Sequence, residues 1–177
     1  SDNASTDSTK KIISYYKKKY KKNKNLKILY YKQKRNEGFK KNFIGLSKIA
    51  TGKYILFSTD DDLPTKGYYK ELFKEINNKD FEKMYITPIH NSNKYFYSLF
   101  GKNIVSYIVQ RGSIFSGIIL KRKNIRYKSY LKTLYPQVEL FLDYYLKYGM
   151  KDLDIKSNIN NIDSQKAYEK FDDRVQR

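Results

Sequence analysis

Two spacings run through the apolar positions of this chain. Between Lys10 and Lys22, Ile12, Tyr16 and Tyr20 recur every fourth residue and lysines fill the other faces, which predicts a helix with a solvated basic side. The stretch NLKILYYKQ, from Asn25, has strand composition and polar boundaries. Helical spacing returns in NEGFKKNFIGLSKIATG: Phe39, Phe43, Leu46 and Ala50 share a stripe, and Gly52 is placed to stop the helix. KYILFST, from Lys53, is a short apolar run of the kind found in a buried parallel strand. It ends abruptly at DDDLP, and TKGYYKELFKEINN then reads as a further helix.

KMYITPIH reads as a strand, and KYFYSLFGKNIVSYIVQR is open between helix and loop-helix. SIFSGIILKR has strand composition around Ser116-Gly117. In PQVELFLDYYLKYG, Pro136 suits a first helical turn, Val138, Leu142 and Tyr145 share a face, and Gly149 can end the helix. Strand, helix, strand, acidic loop and helix in succession is the rhythm of an α/β sheet. We expect one domain over residues 1–150 and a polar, Asn-rich extension or tail over 151–177.

Composition narrows the chemistry. A chain of 177 residues can bury a real core, and no run is long and apolar enough to span a bilayer. There is no cysteine and a single histidine, His90, so thiolate sites, disulfides and a multi-histidine metal centre within one chain are excluded. The sequence reads as cytoplasmic, with peripheral contact at the inner membrane face kept open. The net charge of +19 invites a polyanion partner. Lysine supplies most of it, alongside many Asn, Ile and Tyr residues. Arginine, the better bidentate phosphate reader, is scarce, so nucleic acid is disfavoured. A basic module for nucleic acid or anionic membrane remains the alternative from a different class.

Two polar segments carry candidate chemistry. Asp60, Asp61 and Asp62 follow a strand directly, and three adjacent carboxylates repel one another unless a cation or hydrogen bonds offset them. Ligands of open α/β sheets bind beyond the carboxyl ends of the strands. A hard divalent cation takes one or two carboxylates and completes its shell with phosphate oxygens and water, so a metal diphosphate is a coherent ligand. The competing reading is that Asp62 or a neighbour caps a helix starting near Pro64. The opening loop SDNASTDST has no large apolar side chain. Asp2 and Asn3 could bond a nucleobase, and Thr6 or Asp7 could cap the next helix.

Taken together, the segments resemble the family 2 glycosyltransferases of the GT-A fold. Asp2, Ser5, Asp7 and Thr9 correspond to the family's acidic, hydroxyl-rich loop, and Asn36 and Gly38 to its N-x-G segment. Asn42, Ala50 and Gly52 follow, then the acidic D-x-D region at Asp60 to Asp62. SIFSGIILKR is similar to the family's acceptor-side strand. The resemblance covers residues 1–149 and implies a Rossmann-like three-layer α/β sandwich. It also implies two strands and a helix ahead of Ser1, so this chain is expected to lack the fold's first two strands.

The activity implied is inverting, hexosyltransferase-like sugar transfer from a nucleotide diphosphate-sugar to a glycan or lipid-linked acceptor, in cell-surface polysaccharide biosynthesis. The cofactor implied is Mn2+ or Mg2+, held by Asp60 and Asp62 with Asp61 an equal alternative. Asp2, Asn3, Asn36, Lys41, Asp60 and Asp61 would contact the nucleotide. The family often carries Glu-Asp at the start of the late helix; Gln137 and Val138 stand there instead. Glu139 is the nearest carboxylate for a general base and Asp143 lies one turn on. A catalytically inactive remnant of the fold is the remaining reading.

Overall fold

The computed structural model describes residues 1–77, 79–87, 103–113, 115–126, 134–153 and 159–161. These form two compact units, Ser1–Ala50 and Thr51–Arg177. His90, Tyr95 and Tyr97, with the first part of KYFYSLFGKNIVSYIVQR, lie outside the described residues.

The first unit contains α1 (Thr9–Lys19) and α2 (Gly38–Ile49). Both helices were expected, and α1 keeps its solvated basic side, but the buried face of α2 differs from the expected one. Phe43, Ile44 and Ser47 are buried on α2, whereas Phe39 and Leu46 are exposed. Ser47 tolerates burial because its hydroxyl donates to the Phe43 carbonyl at 2.8 Å. Gly52 does not stop the helix. α2 ends when Ala50 turns to extended backbone, and a Cβ at Gly52 would lie 3.0 Å from the Tyr54 carbonyl oxygen.

The strand expected in NLKILYYKQ is reduced to one parallel bridge between Asp2 and Lys32. The Asp2 N–H donates to the Tyr31 carbonyl at 2.7 Å and the Gln33 N–H to the Asp2 carbonyl at 2.9 Å. With only Asp2 aligned beside it, the segment has no ladder to extend.

The second unit is a layered α/β structure. A four-stranded sheet has the order β1 (Tyr54–Leu56), β4 (Ile118–Lys121), β3 (Met84–Ile86), β5 (Met150–Asp152). β3 and β5 are parallel, while β4 runs antiparallel to both β1 and β3. The expectation that KYILFST pairs as a parallel strand is therefore corrected. β1 shares its direction with β3, but β4 lies between them. A two-stranded antiparallel sheet joins β2 (Asp62–Pro64) to β6 (Ile159–Asn161). The polar segment after Lys151 thus contributes strands, and Leu153 is buried in the core.

Alternation along the strands sorts side chains to two faces. Tyr85 and Ile119 pack with Tyr68 and Leu72 of α3 (Tyr68–Ile76), together with Phe81 and Leu153. Tyr54, Phe81 and Tyr85 form a stack with ring centroids 4.1 and 4.0 Å apart. On the other parity, Met84, Ile86, Ile118 and Leu120 are buried on the side of α5 (Pro136–Tyr148), which packs against α4 (Ile104–Ser113) and β3. Pro136 opens α5 and Gly149 ends it at φ +72°, as expected. Its buried residues, however, are Pro136, Gln137, Leu140, Phe141 and Tyr144 rather than the stripe of Val138, Leu142 and Tyr145. Among the described residues, no helix is long and apolar enough to cross a membrane.

Glycine spacing makes one packing statement testable. A Cβ at Gly112 of α4 would stand 2.8 Å from Val138 Cγ2 and 3.1 Å from Val138 Cα, so α4 and α5 would have to separate. Gly45 of α2 has nothing within 4 Å of such a Cβ. Gly112→Ala is expected to lower unfolding free energy by about 1–3 kcal/mol, and Gly45→Ala to raise it by about 0.5–1 kcal/mol. Denaturant midpoints of the two variants check both signs; equal shifts would refute the close approach of the helices.

Candidate functional site

In the first unit, the opening loop is built around Asp2. Its residue is 5 % exposed. Oδ1 accepts the Ser5 N–H at 2.7 Å, Oδ2 accepts the Tyr30 hydroxyl, and Lys32 Nζ lies 3.9 Å from Oδ2. Lys32 also donates to the Ser5 carbonyl at 2.7 Å. The loop curls through Ala4 at φ +70°, a left-handed conformation rare for alanine. Burial alone would push the Asp2 carboxyl up, but the Tyr30 hydroxyl, the Ser5 contacts and Lys32 outweigh it and hold it down at about 2. The same carboxylate, with burial, pushes the Tyr30 hydroxyl up to about 12.

Asn3, Asn36 and Lys41 join this construction. Asn3 Nδ2 donates to Asn36 Oδ1 at 2.7 Å, and Asn3 Oδ1 accepts the Glu37 N–H at 2.8 Å. Asn36 Oδ1 also accepts the Gly38 N–H at 2.8 Å, where φ is +78°. Lys41 Nζ is 2.7 Å from Glu37 Oε2, and Arg35 Nε is 2.7 Å from Oε1. These two cations, Lys41 first, hold the Glu37 carboxyl at about 2. Asp7 Oδ1 accepts the Thr9 N–H at 3.0 Å just ahead of α1, an Asx turn; the N-cap itself is Ser8, which makes no side-chain cap bond, so neither Thr6 nor Asp7 caps the helix in the expected way. Tyr30 and Lys32 were not singled out from the sequence. Their contacts join residues 28 and 27 positions apart, a separation that no local pattern signals.

In the second unit, the acidic triplet sits just past the C-terminal end of β1, as its spacing predicted. The three carboxylates are not equivalent. Asp60 and Asp61 are exposed, whereas Asp62 is 8 % exposed and accepts the Thr59 hydroxyl at 2.7 Å. Thr59 is positioned by the fully buried Ser116: its N–H donates to Ser116 Oγ at 2.8 Å, and the two hydroxyls lie 3.0 Å apart. Asp62 does not cap α3. That helix begins beyond Gly67, at φ +92°, with no side-chain cap. Thr59 and Ser116 are further residues missed in the sequence; the serine that interrupts the apolar run from Ile114 to Leu120 is the signal that could have found Ser116.

The late helix has a defined direction across the sheet. The Tyr144 hydroxyl accepts the Lys121 N–H at 3.1 Å and donates to the Glu82 carbonyl at 2.8 Å, both at the edge where β3 begins. Phe141 meets Phe57, beyond the end of β1, with ring centroids 5.6 Å apart. The first turn of α5 therefore lies toward the edge that carries the acidic triplet. Glu139, half-buried, is in that turn. Asp143 is exposed and lines a cleft of about 180 Å³ with Asn124, Arg126, Lys147 and Tyr148, toward the opposite edge. Gln137, 5 % exposed, keeps an Oε1 without a hydrogen-bond partner among the described residues.

No three acidic or histidine side chains converge as a metal-holding group among the described residues. The donor set still fits a hard divalent cation, which needs only one or two carboxylates when phosphate oxygens and water complete its shell. Asp60 and Asp61 can supply those, and Asp62 is the carboxylate committed to the fold.

The glycosyl transferase family 2 model matches residues 1–141. The chain belongs to this family. No curated protein matches the chain. Among solved structures, a crystal structure of S. aureus TarS 1-349 is similar, with a TM-score of 0.62 and 20% identity. The match covers 95% of this chain and 51% of that one, so the chain spans about half the length of that structure. The fold of this family 2 member is thus GT-A α/β, in agreement with the motif order.

One prediction follows from the first unit. A carboxyl held below its ordinary value of 3.8 adds stability that is present above about pH 4 and lost as pH falls through about 2. Asp2→Asn should be less stable than wild type at neutral pH, and the gap should close between pH 4 and 2. Parallel acid-unfolding curves for the two proteins over that range would remove Asp2 from its load.

Proposed function

We propose that this chain catalyses metal-dependent, inverting transfer of a hexose from a nucleotide diphosphate-sugar to a hydroxyl of a glycan or lipid-linked acceptor, in cell-surface polysaccharide biosynthesis. The observation that carries the reading is which carboxylates stand free. Asp2, Glu37, Asp80 and Glu82 are bound to lysines, and Asp62 is bound to Thr59. Asp60 and Asp61 have no hydrogen-bond or ion-pair partner among the described residues, beside a strand end in a protein of net charge +19. Leaving two carboxylates open there suits a cationic ligand.

Asp60 and Asp61 would hold Mn2+ or Mg2+. When bound, the ion supplies positive charge against the diphosphate leaving group. Asp62, anchored through Thr59 and Ser116, fixes the turn from which both project. Asp2, Asn3 and Asn36 are assigned to nucleotide binding by resemblance; their hydrogen bonds make them the frame of their loop, so their part is to shape the surface a nucleobase meets. Lys41, paired with Glu37, offers phosphate a partly neutralised ammonium.

The acceptor oxygen forms its bond to the anomeric carbon as that carbon's bond to the diphosphate oxygen breaks, which inverts the centre. The acceptor's proton must leave. Glu139 is the carboxylate we assign to take it, because the first turn of α5 lies toward the acidic edge while Asp143 faces the cleft at the other. A neutral amide at Gln137 cannot serve as the base, although its open carbonyl oxygen can accept a hydroxyl hydrogen bond.

Two measurements test this reading. Calorimetry of nucleoside diphosphate binding should show a requirement for manganese that Asp60→Asn/Asp61→Asn abolishes while the melting temperature stays within a few degrees. Nucleotide binding indifferent to both metal and mutation would overturn the metal assignment. In transfer assays, Glu139→Gln should leave donor binding intact and lower turnover by roughly 10²-fold or more. Unchanged turnover would dismiss Glu139, and loss in Asp143→Asn alone would move the base one turn, about 6 Å, along the helix.

A further inference from the structure

Gln137 is buried to no evident benefit of the fold. Among the described residues, its Oε1 is the buried side-chain polar atom left without a hydrogen-bond partner. Other buried polar side chains are satisfied. Ser47 donates to the Phe43 carbonyl, Asp62 accepts the Thr59 hydroxyl, Thr87 and Tyr68 share a hydrogen bond at 2.9 Å, and Lys121 is bonded to Asp80 and Glu82. Leu140, Phe141 and Tyr144 are buried along α5 with Gln137. An apolar side chain in its place would avoid the cost of taking an unpaired amide out of water.

Its place along α5 gives the amide a use. Phe141, one turn later on the same side of the helix, meets Phe57. Gln137 therefore lies about 6 Å nearer the acidic edge than Phe141. Two residues of extended chain, from Phe57 to Thr59, cover about 6–7 Å. The carboxamide is thus level with Thr59, which is hydrogen-bonded to Ser116 and immediately precedes Asp60.

We propose that the Gln137 carboxamide binds a hydroxyl of the donor's hexose and so helps select the sugar, an inference that rests on the sugar-transfer reading. In a displacement with inversion, the attacking and leaving oxygens lie on opposite sides of the anomeric carbon. With the diphosphate at Asp60 and Asp61 and the acceptor's proton passing to Glu139, the hexose lies between the acidic turn and the first turn of α5. Gln137 belongs to that first turn and is buried on its sheet side. The last torsion of a glutamine is broad and close to two-fold, so its oxygen can turn toward the sugar without strain. A carboxamide also donates as well as accepts, which an ionised carboxylate cannot do. The hexose hydroxyl supplies the partner that the fold withholds. A sugar without a hydroxyl at that position leaves the amide unpaired, which is how a buried polar group discriminates between substrates.

The test is calorimetry on the full chain with manganese. The probes are UDP-glucose, UDP-N-acetylglucosamine and GDP-mannose, with UDP and GDP alone as references. The quantity read is the ratio of Kd for the tightest nucleotide-sugar to Kd for its own nucleoside diphosphate. Gln137→Met, close in shape, and Gln137→Leu should each raise that ratio roughly three- to tenfold, the size of one lost neutral hydrogen bond, while the nucleoside diphosphate Kd stays within about twofold of wild type. Both variants should melt at or above the wild-type temperature, because the unpaired amide is gone. Unchanged ratios overturn the proposal. Equal losses for both ligands, or two variants that fail to fold, also overturn it, since either makes Gln137 structural. A wild-type chain that binds nucleoside diphosphate but no nucleotide-sugar overturns this inference alone. Absence of nucleoside diphosphate binding in the wild-type chain would sink the transfer reading itself, and this inference with it.

Discussion

Ile118–Lys121 is the strand on which both edges of the second unit hang. Four consecutive side chains are buried, and the strand is hydrogen-bonded to β1 on one side and β3 on the other. Its two ends make different attachments. Just before it, Gly117 at φ +83° and the buried Ser116 turn the chain so that the serine hydroxyl reaches Thr59, and through Thr59 the carboxylate of Asp62. At its far end, Lys121 is buried on the α3 side and bonded to Asp80 and Glu82. Those two carboxylates, Asp80 first, push the lysine up, and Lys121 holds the Asp80 carboxyl at about 2. One strand therefore sets the acidic turn at one edge and closes a charged cluster at the other.

The two edges use carboxylates in opposite ways. Asp80 and Glu82 are neutralised by a lysine the sheet has already taken out of water. Removing Lys121 would strand little, because both acids are more exposed than half or nearly so, at 61% and 49%. Asp60 and Asp61 are given no such partner. In a chain with 37 cationic and 18 acidic residues, a surface carboxylate left open is a product of its placement. The turn after β1 leaves both exposed and without an ion pair among the described residues, while spending Asp62 on structure. The result is a division of labour within one triplet that three identical letters in a sequence could not display.

Legibility followed the range of the interactions. The late helix was readable because its start and stop are local: Pro136 has no N–H to lose and Gly149 accepts a positive φ. The position of the acidic turn was readable for the same reason, as a polar run directly after an apolar one. Strand pairing was not. KYILFST carries no mark of the direction of its neighbour, and β4, which supplies the antiparallel partner, lies more than sixty residues later. NLKILYYKQ had the composition of a strand, but composition cannot supply a second row of backbone donors and acceptors. The helix faces were misread by a few positions where aromatic and small polar residues compete. Ser47 and Gln137 are buried, Phe39 and Leu46 are not.

The opening loop shows the same limit from the other side. Its polarity suggested a surface for holding a ligand, and much of that polarity holds the loop itself. Asp2 accepts from Tyr30 and Ser5 and faces Lys32; Asn3 and Asn36 satisfy each other and two backbone N–H groups. A buried carboxylate costs stability unless such partners surround it. Once they do, its position is fixed more firmly than that of an exposed acid. A loop meant to present backbone and amide groups to a nucleotide needs that rigidity, because each group ordered in advance is one that binding need not order. Framing and recognition are compatible uses of the same residues, and they separate by measurement: loss of the frame lowers stability with or without nucleotide, whereas loss of a direct contact lowers affinity alone.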